Sequence, residues 1–113
     1  MDILDLGCGS GVIAILANKL QQNKKKIYAS DVSSKAIQYA KKNLDMHKCD
    51  FELKKGSLFK PWNNKKFDLI INDVSGISET LAKKSTWFRN VPCRTGLDGT
   101  DLTLKVINSS KLY

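Results

Sequence analysis

No long hydrophobic run occurs in this sequence, and nothing approaches the roughly 18 consecutive apolar residues of a membrane span. No membrane partner is therefore expected. The first apolar stretch is interrupted by Asp2 and Asp5 and follows no basic leader, which reads against a secretory signal. Cysteine is scarce and scattered. Cys8, Cys49 and Cys93 form neither a C-x-x-C pair nor an even framework, so reduced thiols in a cytoplasmic setting are expected. His47 lies close to Cys49, but one such pair does not make a metal site, and no metal is expected. Internal repeats and low-complexity linkers are also missing. A chain of 113 residues suffices for at most one domain, and residues 1–113 are read as one.

What the chain has in excess is positive charge. Its 19 basic and 11 acidic residues give a net charge of +8, which admits a nucleic-acid partner. The lysines come in short groups, at 24–26, 41–42, 54–55, 65–66 and 83–84, mostly where elements end. A solvated surface is the plainer reading of that pattern.

Apolar periodicity alternates between strand and helix. Residues 2–6 read as a buried strand and residues 11–20 as a helix, which the polar run QQNKKK closes. Residues 27–30 form a second strand ending at Asp31. Ser33 or Ser34 then caps a second helix, whose apolar stripe is Ala36, Ile37, Ala40 and Leu44. FEL at 51–53 is a short third strand, and KPWNNKK is a turn-rich loop. FDLIIN at 67–72 is a fourth strand, apolar enough to be central. ISETLAKKS reads as a short helix, and DGTDLTLKVINSS as a turn followed by a helix. Four alternations of strand and helix imply an α/β fold with a parallel sheet flanked by helices. In such folds ligands bind beyond the carboxyl ends of the strands. The unusual residues fall at those ends: Gly7, Gly9 and Gly11 after the first strand, Asp31 at the second, Gly56 and Ser57 after the third, Asn72 and Asp73 at the fourth.

The turn DLGCGSG lets another molecule approach its backbone, because glycine lacks a Cβ and accepts positive φ. A dinucleotide fold would carry G-x-G-x-x-G, with its last glycine where Val12 stands. The observed G-x-G-x-G is one residue tighter and suits a ligand without a pyrophosphate. Asp31, twenty residues past Gly11, is placed to accept two hydrogen bonds from vicinal ribose hydroxyls. A helix cap is its plainer alternative, although Ser33 and Ser34 already supply caps. Gly11 could serve packing, Ser57 could be a plain turn residue, and Trp62 and Trp87 could be either packed aromatics or base-stacking ones.

Together DLGCGSG, ASDVSSKAIQYAKKN, GSLF and FDLIIN, in order over residues 2–73, resemble the class I S-adenosylmethionine-dependent methyltransferases. The local flavour is similar to the small methyltransferase group, which includes glutamine-N5 enzymes acting on peptide release factors and several rRNA and DNA amine methyltransferases. The tail GLDGTDLTLKVI is similar to a segment of the release-factor enzymes. The resemblance implies a Rossmann-like sheet with S-adenosyl-L-methionine as cofactor. Gly7, Cys8, Gly9 and Gly11 would line its methionine part, with Asp5 near the ammonium. Asp31 would bind the ribose, Val32 would pack on the adenine, and Ser57 and Leu58 would bound the adenine edge. Asn72 would touch both cofactor and acceptor and, with Asp73, would form the catalytic loop. The implied reaction is N-methylation of a protein glutamine or another amine or amide, on a release-factor-like protein or on nucleic acid.

Two departures stand out. The group places Asn-Pro-Pro-Tyr or a close variant after its fourth strand, whereas this chain reads Asn72-Asp73-Val74-Ser75. That loss admits a degenerate cofactor-binding module without catalysis. The class I fold also has seven strands in the order 3-2-1-4-5-7-6, and four are legible here. A truncated fold is expected, with a fourth-strand edge that a second copy could cover.

Overall fold

The computed structural model describes residues 1–20, 26–84 and 95–113. They divide into two compact units, Met1–Asp73 with Tyr113, and Val74–Leu112.

In the first unit, strands β1 (Asp2–Leu6), β2 (Lys26–Asp31), β3 (Glu52–Lys55) and β4 (Leu69–Asn72) form one parallel sheet in the order β3-β2-β1-β4. Helix α1 (Val12–Lys19) links β1 to β2, and α2 (Ser34–Met46) links β2 to β3. Chain order reverses between β1 and β4, the switch point beyond which α/β sheets hold their ligands. The expected fold class is thus present as four strands of a Rossmann-like sheet.

β1 lies between two strands, so both of its edges are paired, and both of its faces are covered as well. Ile3 and Asp5 point one way and Leu4 and Leu6 the other, following the two-residue strand period, and all four are buried. The first face packs on the helices: Ile3, Ile27, Ala29 and Phe51 share a core with Ala14 of α1, Ala40 of α2, Cys8 and Cys49. The second face presents Leu4, Leu6, Tyr28 and Ser30. Against Tyr28 lie Trp62 and Phe67, both edge-on, with ring centroids 5.6 and 5.4 Å away. Burying Leu4 and Leu6 completely contributes about 2 kcal/mol each.

The element ends have local causes. α1 starts one residue later than the expected 11–20, because Gly11 has φ +85° and cannot join a right-handed helix. α2 is capped by Ser33, whose hydroxyl accepts the Ala36 N–H at 3.3 Å, and His47 closes it. The third strand runs over Glu52–Lys55 rather than 51–53. Lysines continue the ladder there because β3 is a sheet edge, where charged side chains reach water. β4 starts at Leu69 rather than 67, since the Phe67 N–H donates to the Tyr113 carbonyl. The KPWNNKK loop contains a short 3-10 turn, Lys60–Trp62, that periodicity did not indicate. The polar closure of α1, Trp87 and Cys93 lie in whole or in part outside the described residues.

The second unit holds α3 (Glu79–Lys84) and α4 (Asp101–Ser110). Glu79 and Gly96 join the start of α3 to the turn before α4: the Glu79 N–H donates to the Gly96 carbonyl at 2.9 Å, and Glu79 Oε1 accepts the Gly96 N–H at 3.2 Å. Gly99, at φ +87°, admits no side chain, since a Cβ there would stand 2.4 Å from the Gly76 carbonyl oxygen. Asp98 accepts from both the backbone and the hydroxyl of Thr100, which shapes the turn into α4.

Candidate functional site

The site gathers at the carboxyl ends of β1, β2 and β4. Gly7, Gly9 and Gly11 have φ of +79°, +53° and +85°, so the turn after β1 winds through left-handed backbone three times. The turn is closed by the Gly11 N–H, which donates to the Cys8 carbonyl at 2.8 Å, and it is tied to β2. The N–H groups of Gly7 and Cys8 both donate to the Ser30 carbonyl, at 2.9 and 3.0 Å. Gly9 N–H donates to Asp31 Oδ2 at 2.9 Å, and Asp31 Oδ1 accepts the Ser33 N–H at 2.8 Å. On the far side, Asn43 of α2 donates to the Ser10 carbonyl at 2.9 Å.

The glycines divide their work. A Cβ on Gly9 would meet nothing within 4 Å, so its outer side is open. A Cβ on Gly11 would stand 3.3 Å from Ala40 Cβ, so Gly11 serves the packing of the turn on α2. Asp31 is half-buried at the end of β2, and its carboxylate does not turn into the core. Ser33, not Asp31, is the helix cap. An ionised carboxylate has about four lone-pair sites, so two remain after Gly9 and Ser33.

Asp5 is 1 % exposed. Its Oδ2 accepts the Ala14 N–H of α1 at 3.0 Å, while its Oδ1 has no hydrogen-bond partner among the described residues. Burial pushes its carboxyl up to about 6; the Ala14 N–H opposes this, and the charges of Asp73 and Asp31 add to it. The Cys8 thiol is pushed up to about 12, by burial first and then by Asp5 and Asp31. It is a protonated core group at neutral pH, and only the backbone of Cys8 belongs to the turn. The other expected residues lie around this centre. Val32 is 47 % exposed next to Asp31. The Gly56 N–H donates to the Asp31 carbonyl at 2.9 Å, bringing exposed Ser57 and half-buried Leu58 to the end of β2. Asn72 is paired with Leu6 in the ladder, and the Asp73 N–H donates to the Leu6 carbonyl at 3.0 Å. Both side chains are exposed.

Ser30 escapes the sequence reading, and Trp62 enters it only as a packed or base-stacking aromatic. Ser30 is the common acceptor for the turn, and Trp62 is bonded to it. A lone large aromatic inside an otherwise polar loop was the available signal for Trp62. Among the described residues no group of three or more metal-ligating side chains comes together, and no helix is long and apolar enough to cross a membrane.

Residues 1–99 match the model of a family described as a methyltransferase domain. The chain belongs to the class I S-adenosylmethionine-dependent methyltransferases. Among its relatives is the ribosomal protein L11 methyltransferase of Thermosipho africanus, 33 % identical over 109 residues, covering 96 % of this chain and 39 % of that protein. The release factor glutamine methyltransferase of Geobacter sulfurreducens is 34 % identical over 98 residues, covering 86 % and 34 %. A solved plantazolicin methyltransferase, in complex with a triazolic desmethylPZN analog and S-adenosylhomocysteine (SAH), superposes with a TM-score of 0.52 at 28 % identity, covering 61 % of this chain and 25 % of its own. S-adenosylmethionine is the cofactor of this class. The match spans about two fifths of the length of the two Thermosipho relatives and about a third of the Geobacter one.

Proposed function

We propose that this chain carries the cofactor-binding part of a methyltransferase acting on a nitrogen of a protein, in the cytoplasm. The observation that carries the reading is the half-buried Asp31 carboxylate at the rim of the open Gly9 turn, with two acceptor sites to spare. Those sites suit two vicinal ribose hydroxyls. Gly7 and Gly9 offer backbone to the methionine part, and Gly11 fixes the turn behind them. Asp5 Oδ1, buried and with no partner among the described residues, suits the cofactor's ammonium. Val32, Ser57 and Leu58 border the adenine.

When bound, the cofactor supplies a methyl group made electrophilic by a sulfonium. The chain's own task is to hold the acceptor nitrogen in line and away from water. Asn72 and Asp73, exposed at the end of β4, would do that. The Asn72 side-chain oxygen would accept an acceptor N–H and aim the nitrogen lone pair. The Asp73 carboxylate would accept a second N–H or pair with a cationic amine. The relatives named for a ribosomal protein and a release factor support a protein acceptor. No β-strand among the described residues pairs with the outer edge of β4, and this reading has a further strand or a second copy covering it.

Titration calorimetry with SAH tests the core of the reading. Micromolar binding that falls at least about tenfold in Asp31→Ala is expected, since two charge-assisted hydrogen bonds are lost. Absence of heat on folded protein would sink it. A second reading, a binding module without catalysis, draws on Asp73-Val74-Ser75 in place of two prolines and an aromatic. Binding without turnover on any protein, peptide or nucleic-acid acceptor would favour that module.

A further inference from the structure

The loop that follows β3 is fastened at both ends to consecutive residues of β2. At one end the Gly56 N–H donates to the Asp31 carbonyl at 2.9 Å. At the other the Trp62 indole N–H donates to Ser30 Oγ at 3.0 Å, and both residues are 1 % exposed. The same two residues hold the glycine turn: the Ser30 carbonyl takes the Gly7 and Cys8 N–H groups, and the Asp31 carboxylate takes the Gly9 N–H. The turn on one side and residues 57–61 on the other are therefore positioned against a single dipeptide.

The loop itself is tightly set. Gly56 lies so near Pro61 that a Cβ there would stand 2.3 Å from the proline Cγ. Leu58 is held at φ +47°, a left-handed conformation that a non-glycine residue keeps only where its surroundings over-determine it. Among the described residues Trp62 is the largest fully buried side chain, and Lys54 Nζ lies 4.6 Å from its ring centroid. Its edge-on contacts with Tyr28 and Phe67 would suit a phenylalanine. What the indole adds is one aimed N–H in a buried place, where an unpaired donor would be costly.

We infer that Trp62 is a positioning residue for the adenosine side of the cofactor site, holding Ser57 and Leu58 in register with Asp31 through its bond to Ser30. The inference rests on the S-adenosylmethionine reading above. It concerns the shape of the folded site rather than the stability of the fold.

The test compares SAH and methylthioadenosine binding by calorimetry in wild type, Trp62→Phe, Ser30→Ala and Ser30→Thr, with urea unfolding alongside. Trp62→Phe keeps a ring and removes the N–H, and both ligands should then bind about three- to tenfold more weakly. Ser30→Ala should show the same loss, and the double variant no more than either alone, because one bond is removed in all three. Ser30→Thr keeps the hydroxyl and should keep the affinity. Unchanged affinities in Trp62→Phe and Ser30→Ala, even with lowered unfolding midpoints, overturn the inference, as do additive losses. If Trp62→Phe does not fold, equal affinities for the Ser30→Ala and Ser30→Thr proteins overturn it. Failure of folded wild type to bind either ligand is a different result, and it removes the cofactor reading along with this one.

Discussion

Gly9 and Asp31 stand 22 residues apart in the chain and are joined by a 2.9 Å hydrogen bond from the Gly9 N–H to Asp31 Oδ2. That bond fixes the height of the turn against the end of β2. It also faces the open side of Gly9 outward, which separates two effects of adding a methyl group there. Gly9→Ala has no steric neighbour within 4 Å and should lose only about 1–2 kcal/mol of stability, from the left-handed φ. Its methyl would stand where backbone meets ligand, so SAH affinity should fall more than tenfold. Urea unfolding and calorimetry on the same preparation check this, and retained affinity would mean that the turn faces no ligand.

Gly11→Ala should behave in the opposite way. Its Cβ would be 3.3 Å from Ala40 Cβ, at a φ of +85°. A loss of about 2–3 kcal/mol is expected from backbone strain and crowding together. Adding Ala40→Gly should recover the crowding part of that loss and leave the strain. Denaturation of the two single variants and the double variant gives the coupling, and strictly additive losses would contradict the contact.

Asp5 makes stability depend on acidity in an unusual direction. Its carboxyl is raised from 3.8 to about 6, so the native state holds the proton more tightly than the unfolded chain. The contribution is fully present below about pH 3.8 and is lost as pH rises through about 6. Above that range the ionised buried group costs up to about 3 kcal/mol relative to its protonated form. Asp5→Asn removes this titration while keeping an acceptor for the Ala14 N–H. The stability of Asp5→Asn relative to wild type should therefore climb between pH 4 and 7. Parallel pH profiles for the two proteins would show that Asp5 does not titrate there. Asp73→Asn should lower the midpoint, since the Asp73 charge helps to raise it.

Asn72 is exposed at the end of β4, so Asn72→Ala should leave stability within about 0.5 kcal/mol. Turnover should fall by about 10- to 100-fold once an acceptor is found, with SAH affinity changed less than threefold. A fall in affinity equal to the fall in turnover would place Asn72 on the cofactor rather than on the acceptor.

The parts of this site that were legible in the sequence are those set by short spacing. The strand, the glycine turn and the first helix are contiguous, so apolar runs and three glycines placed Gly7, Gly9 and Gly11 directly. Asp31 was legible because it ends an apolar run just before a helix cap. Edge strands were harder, because β3 extends through Lys54 and Lys55 wherever a neighbour offers hydrogen bonds and water covers the rest. The inward turn of the Cys8 thiol was hidden, since side-chain direction inside a turn follows no simple period. The bond between Ser30 and Trp62 was hidden for another reason. It spans 32 residues, and only the folded sheet brings its partners together.

Ser30 and Asp31 sit on opposite faces of one strand, each with its own task. A one-residue insertion within residues 26–30 would exchange those faces. With the first residues of the strand held in register, the Ser30 hydroxyl would come out toward Gly9 and the residue before it would stand under Trp62, breaking both attachments at once. Natural length variation in proteins built this way should accordingly spare this strand and collect in the segments between elements.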